Sequence, residues 1–175
     1  IPDIVLLNAG TNNPNSKNIF SIEETEQIFK INFFGTLNCL HAFLPFLKKK
    51  NKSQVIFMSS VAGYRGLPYA AAYCSSKSAI TTFAESIYNQ CKNLGIAIRV
   101  INPGFIKTPL TDKNKFKMPM IIPVEKAADI MYKKIVFSKK FEINCPWLFC
   151  FIMKLLRVLP NSVYLSLTQL LIKRL

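Results

Sequence analysis

Apolar positions along this chain follow two rhythms. Short unbroken runs, Ile4-Val5-Leu6-Leu7, Val55-Ile56-Phe57-Met58-Ser59 and Ala97-Ile98-Arg99-Val100-Ile101, stop at polar or glycine-bearing turns, as buried strands do. Between the runs, apolar residues recur at helical spacing. Ser21 with Glu24 three residues later offers a capping box. It opens a long helix with a break expected near Gly35 and an end at Lys48-Lys49-Lys50, whose charges suit a helix C-terminus. A second helix is expected over residues 71–93, stopped by Gly95. Residues 12–18 and 60–68 read as loops. Beyond the third run come a basic, partly apolar stretch at 109–120 and a helix opening at Pro123-Val124-Glu125-Lys126. A last strand is expected at 141–144. Pro160-Asn161-Ser162 divides residues 145–175 into two short helices, the second capped by Asn161 or Ser162.

Strand, helix, strand, helix, strand is an α/β alternation, which favours a parallel sheet with right-handed crossovers. All three strands end in turns able to carry chemistry: Asn8-Ala9-Gly10, Ser59-Ser60 and Asn102-Pro103-Gly104. In such sheets ligands sit outside the carboxyl ends of the strands. A length of 175 residues suits one domain, and half the residues being hydrophobic excludes a disordered tail. The net charge of +14 is spread along the chain without a recognisable nucleic-acid module. Nucleic acid is therefore set aside, and anionic lipid is the better partner for a basic chain with an apolar tail. The five cysteines form no CxxC pair and read as unpaired core residues in a reducing compartment. One histidine excludes a His-rich metal site, and no metal is expected. The longest uncharged runs, 143–153 and 158–172, are too short to span a bilayer. No basic leader precedes the first run, so a cytoplasmic location is expected, with peripheral membrane contact through the tail held open.

Tyr73 and Lys77 lie four residues apart on the second predicted helix and so share a face. A phenol near pKa 10 is a poor base at neutral pH. A neighbouring ammonium would lower that value and make Tyr73 usable in proton transfer. Ser60, thirteen residues earlier at a strand end, could hydrogen-bond a substrate oxygen. Alone, a Tyr and a Lys at this spacing are mostly structural.

Five motifs in order change that balance. Asn8-Ala9-Gly10 resembles the NAG turn of the short-chain dehydrogenase/reductase family, and Asn32 falls where that family keeps a helix asparagine. Ser59-Ser60-Val61-Ala62-Gly63 is similar to its SSxAG segment, and Tyr73-Cys74-Ser75-Ser76-Lys77 to its YxxxK core. Asn102-Pro103-Gly104-Phe105-Ile106-Lys107-Thr108 resembles its NPGxxxT segment. The resemblance covers residues 1–142. It implies a Rossmann-like, doubly wound parallel sheet with helices on both faces, and an NAD(P)-dependent oxidoreductase that interconverts an alcohol and a carbonyl. By the same resemblance Tyr73 is the general acid/base, and Lys77 lowers the Tyr73 pKa and holds the nicotinamide ribose. Ser60 polarises the carbonyl, and Asn32 binds a water in a proton relay from Lys77. Asn8, Ala9, Gly10, Tyr73, Lys77, Pro103, Gly104, Ile106 and Thr108 would line the cofactor, with NADP favoured over NAD.

The family's glycine-rich TGxxxGxG turn has no counterpart among the six glycines at 10, 35, 63, 66, 95 and 104. Ile4-Val5-Leu6-Leu7 matches the family's fourth strand. Residues 1–144 are therefore expected to be the carboxyl part of a dinucleotide-binding domain, followed by a hydrophobic, basic helical tail at 145–175. The tail contains Trp147, Phe149 and Phe151, the basic residues Lys154, Arg157, Lys173 and Arg174, and no acid. It reads either as a cover for the substrate cleft or an oligomer face, or as an interfacial segment on lipid. Both imply an apolar substrate. The resemblance also implies a homodimer or homotetramer paired through the helices carrying Asn32 and Tyr73. Two alternatives stay open: a membrane-surface reductase of fatty or sphingoid ketones, and a non-catalytic fragment or interaction module.

Overall fold

The computed structural model describes residues 1–13, 19–50, 52–114 and 116–172. The loop expected at 12–18 is present at 12 and 13; positions 14–18, Lys173 and Arg174 lie outside the described residues. The strands are β1 (Ile4–Leu7), β2 (Ser53–Met58), β3 (Ile96–Pro103), β4 (Ile106–Lys107), β5 (Ile122–Pro123) and β6 (Glu142–Cys145). The helices are α1 (Ile22–Phe29), α2 (Gly35–Lys49), α3 (Ala71–Asn93), α4 (Val124–Phe137), α5 (Trp147–Val158) and α6 (Asn161–Ile172). The main sheet has the order β1-β2-β3-β6 and is parallel throughout. β4 and β5 form a separate two-residue parallel pair that no sequence signal announced.

The continuous apolar runs are explained by burial on both faces of a parallel sheet. On one face Val5, Val55, Phe57, Ile98 and Val100 pack under Leu40 and Leu47 of α2 and Ile80 of α3. On the other, Ile56, Ile101 and Ile143 meet Met131 and Ile135 of α4. The fold is the expected α/β, Rossmann-like sheet with helices on both sides and a helical C-terminal part. On the α4 side the β1 end is open, with Ile4 and Leu6 exposed. Arg99 sits buried inside the third run. Its guanidinium donates to the carbonyls of Lys134, Ile135 and Lys140 at 2.8–2.9 Å. A cation thus caps the C-terminal end of α4, where orphan carbonyls and the helix dipole favour positive charge.

Four local expectations are corrected. Gly35 is no break: its φ of −59° is helical, and α1 runs into α2 through a π turn at Lys30–Phe34. Such wide turns inside helices often mark functional positions, and this one turns Asn32 into the interior. Ser21 caps α1 by accepting from the Glu24 amide at 3.2 Å, but the reciprocal half of the box is replaced by a bond from Ser21 Oγ to Glu23. Asn161 does not cap α6, because its Oδ1 accepts from the Arg65 guanidinium at 2.6 Å. Among the unpaired cysteines Cys39 is exposed, whereas the other four are buried. Gly95, by contrast, stops α3 as expected, with a φ of 73° that favours glycine.

Candidate active site

The carboxyl end of β2 fixes the site. Lys77 on α3 is almost wholly buried, and its ammonium donates to the Met58 carbonyl at 2.8 Å. Ser59 Oγ donates to the Lys77 carbonyl at 2.9 Å and shares a bond with Thr81 Oγ1 at 2.8 Å. Gly63 completes this junction, since a Cβ there would lie 3.0 Å from both C and O of Lys77. Backbone on both sides leaves little room to yield. Gly63→Ala is therefore expected to cost about 1–3 kcal/mol of stability in denaturant unfolding.

Ser60 is extended, and its Oγ accepts from the Ala62 amide at 3.1 Å, capping a short 3-10 turn over Val61–Gly63. The same hydroxyl faces the phenol of Tyr73. The Lys77 ammonium lies 5.8 Å from the centre of the Tyr73 ring. Burial pushes the Tyr73 phenol above its ordinary value, against the opposing influence of the nearby Ser60 hydroxyl. It pushes Lys77 down to about 8. This reverses the expected direction for Tyr73: the helix spacing does set Lys77 beside it, but desolvation of the phenol outweighs the neighbouring charge.

Asn32 is fully buried. Its Oδ1 accepts from the Thr11 amide at 2.7 Å, and its Nδ2 donates to the Thr11 carbonyl and to Ser76 Oγ, each at 3.0 Å. Both amide donors are thus spent on holding the loop after β1 against α3, leaving one lone pair of Oδ1 for a water. Gly10 belongs to the same cluster: a Cβ on it would come within 3.3 Å of Lys77 Nζ and 3.6 Å of Asn32 Oδ1. Asn8 and Ala9 are exposed beside it.

The third strand end is arranged separately. Pro103 closes β3 opposite Cys145, and the Gly104 amide donates to the Cys145 carbonyl at 2.7 Å. The Phe149 ring covers Gly104 so closely that a Cβ would fall 2.5 Å from it. Ile106 and Thr108 are tied to one another through Thr111 Oγ1. Gly10, Asn32, Ser60, Tyr73 and Lys77 thus converge. No hydrogen bond among the described residues links Ile106 or Thr108 to them. A cleft of about 450 Å³ borders Tyr73, lined by Asn12, Ile28, Phe20, Tyr69 and Ile172 among others.

Sequence reasoning missed two arrangements that hold this site from the far side. Glu142 Oε1 accepts from Tyr64 Oη at 2.6 Å and Asn102 Nδ2 at 2.8 Å, while Oε2 pairs with Lys154 of α5. Burial alone would raise the Glu142 carboxyl, but the bonds from Lys154 and Tyr64 hold it below its ordinary value. One carboxylate thereby joins the loop after Ser60, the Asn102 turn and the tail. The second arrangement is Arg65. Its guanidinium donates to the Leu156, Arg157 and Leu159 carbonyls at 2.8–3.0 Å and lies 4.0 Å over the Tyr164 ring. Tyr164 in turn donates to the Gly66 carbonyl at 2.5 Å. Arg65→Ala should free the tail, and trypsin should then cut after Lys154 and Arg157 about tenfold faster or more, equivalent to 1.4 kcal/mol of local opening.

Comparison with known proteins gives this geometry a lineage. A family model described as short chain dehydrogenase matches residues 3–118. An uncharacterized oxidoreductase of Myxococcus xanthus is 33% identical over 162 residues, which is 93% of this chain and 64% of the relative. A 3-ketodihydrosphingosine reductase of Bacteroides thetaiotaomicron is 28% identical over 142 residues, covering 81% of this chain and 52% of that protein. Among solved structures, a short chain dehydrogenase from Burkholderia cenocepacia in complex with NADP superposes with a TM-score of 0.73 at 24% identity. It covers 86% of this chain and 63% of its own. The chain therefore spans between half and two thirds of the length of these proteins. The matched residues 3–118 contain the β2 end, the Ser60 turn and the Tyr73–Lys77 face of α3, and on this match the chain belongs to the short-chain dehydrogenase/reductase family of oxidoreductases.

Proposed function

We propose that the whole protein interconverts an apolar alcohol and its carbonyl with NADP or NAD, and that Tyr73 carries the proton. The observation that carries this reading is the buried Lys77 ammonium beside a Tyr73 phenol that faces the Ser60 hydroxyl. Lys77 has three donors, and the Met58 carbonyl takes one. The closeness of Gly10 to Lys77 Nζ leaves the approach free of any side chain. These features fit a ribose hydroxyl pair at the nicotinamide end. When bound, the nicotinamide supplies or accepts a hydride.

The chain's own residues do the rest. Ser60 orients and polarises the carbonyl oxygen. Tyr73, kept protonated by burial, is suited to donate its proton to that oxygen when the carbonyl is reduced. Lys77 supplies the positive charge that steadies the phenolate left behind. Asn32 acts on Lys77 through position, by tying Thr11 and Ser76 around it. Asn8, Ala9, Pro103, Gly104, Ile106 and Thr108 are proposed to line the nucleotide, with NADP favoured.

A cleft bordered by Ile28, Phe20, Tyr69 and Ile172 supports a lipophilic substrate. A long-chain ketone of the sphingoid kind is a second reading, favoured by the name of the Bacteroides relative. A non-catalytic interaction module is the weaker reading, because a buried ammonium is a costly way to fill space. The exposed Phe34, Phe43 and Phe46 along the π turn and α2 support pairing of two copies through that face. Titrating NADPH and NADH with the whole protein tests the proposal. Saturable enhancement of nicotinamide emission by at least one of them is expected, and no response to either would overturn it.

A further inference from the structure

The tail helices bury little of their apolar surface. α5 turns Phe149, Cys150 and Met153 inward onto Val61 and Tyr64. It leaves Trp147, Phe151 and Leu155 half or more exposed. α6 is held by Tyr164, while Leu165, Leu170 and Ile172 stay exposed. A helix that is apolar nearly all round is ordinarily buried, and a contiguous apolar surface of this kind marks an interaction site. No described helix is long and apolar enough to cross a membrane. At twelve residues, α5 and α6 each reach about 18 Å, against a hydrocarbon core of about 30 Å.

Charge decides between occupants. Residues 145–175 contain no acid, and Asp112 is the only acid in 105–121. Residues 116–121 are joined to α5 by ring contacts, Phe116 edge-on to Phe105 at 5.8 Å and Phe105 tilted against Phe149 at 5.5 Å. Lys107, Lys113 and Lys117 flank Phe105 and Phe116 in sequence, and they and Arg157 of α5 are exposed. A second copy pressed on this face would set lysine and arginine against their own kind, on a chain of net charge +14. A surface of anionic headgroups over acyl chains satisfies both the charge and the apolar side chains.

We propose that α5 and α6, with the adjoining residues 116–121, form an interfacial surface on which the protein rests against anionic lipid. Ile172 at the far end of α6 lines the cleft that Tyr73 borders. The contact thus places the mouth of the cleft at the lipid. It depends on none of the proposed chemistry, and vesicle binding reads it without turnover.

Trp147 is the only tryptophan and is 66% exposed, so its emission reports the contact directly. With vesicles of phosphatidylcholine containing phosphatidylglycerol, the protein should float with the lipid and Trp147 emission should move to the blue. Binding should fall at least about tenfold on pure phosphatidylcholine, and fall again in about 0.5 M salt. The double substitution Phe151→Glu and Leu155→Glu changes two exposed positions and should abolish flotation with an unchanged circular dichroism spectrum. Equal flotation of that variant, or no blue shift of the wild type on anionic vesicles, would overturn the proposal. So would a wild-type dimer in solution that the same variant converts to a monomer, because the face would then belong to a second copy.

Discussion

Replacing Tyr73 by Phe is expected to lower ketone reduction by the whole protein about 10²–10⁴-fold, the usual worth of a positioned proton donor, while NADPH binding changes little. The phenol oxygen is the only atom removed, and it faces the Ser60 hydroxyl. The Lys77 ammonium keeps its bond to the Met58 carbonyl, so the proposed ribose contact survives. A loss of kcat with an unchanged nucleotide Kd is therefore the pattern to find in steady-state kinetics and a fluorescence titration. Equal loss of both would mean that Tyr73 packs the site and does not act in it.

The second large effect runs against intuition, because removing a central residue should stabilise the fold. Lys77 has a folded pKa of about 8 against an ordinary 10.5, by burial. Between those two values the unfolded chain binds the extra proton and the folded chain does not. Stability from this group therefore rises with pH across that window, by about 3 kcal/mol in all. Below pH 8 the folded chain bears the full cost of a buried ammonium. Lys77→Met removes that cost at the loss of one hydrogen bond worth about 1 kcal/mol. A net gain of about 2 kcal/mol at pH 7 is expected, or about 4–8 °C in Tm for a chain of this size. The gain should vanish inside that window and turn into a loss of about 1 kcal/mol, the missing hydrogen bond, by about pH 10.5. Thermal melts of both proteins across pH 7–10.5 check this. Such a trade of stability for a costly charged group is usual at active sites.

What could be read from sequence was what local rules encode. The apolar runs gave three strands, Ser21 gave a helix start, and the four-residue spacing placed Tyr73 and Lys77 on one face of α3. The parallel direction of the strands follows from the alternation of strands and helices, since parallel neighbours require crossovers, whereas the order β1-β2-β3-β6 came from the structure. The π turn at Lys30–Phe34 was read as a break at Gly35, because the extra residue is stabilised by burial of Asn32 and has no local signature. Glu142 and Arg65 were invisible for another reason. Their partners lie 78 residues away for Tyr64 and 91–96 away for the tail, beyond any window of periodicity. The pKa of Tyr73 was read from the charge beside it, but the surrounding fold also partly desolvates the phenol, and that effect is the larger.

The tail is tied to the loop that carries the site. Arg65 and Tyr64 follow directly on the Ser60 turn, and both are held from α5, α6 and β6. Any movement of the tail must therefore pass to the loop between Ser60 and Tyr73. A lipophilic substrate entering past Ile172 would meet this loop first.

The most direct test of the central claim follows the hydrogen itself. The whole protein would be given NADPH deuterated at nicotinamide C4 and a lipophilic ketone, and the alcohol product weighed by mass spectrometry. The account predicts one deuterium on the former carbonyl carbon, formed by the wild type and almost absent with Tyr73→Phe. An alcohol formed without deuterium from either face of the nicotinamide, or formed equally well by Tyr73→Phe, would contradict it.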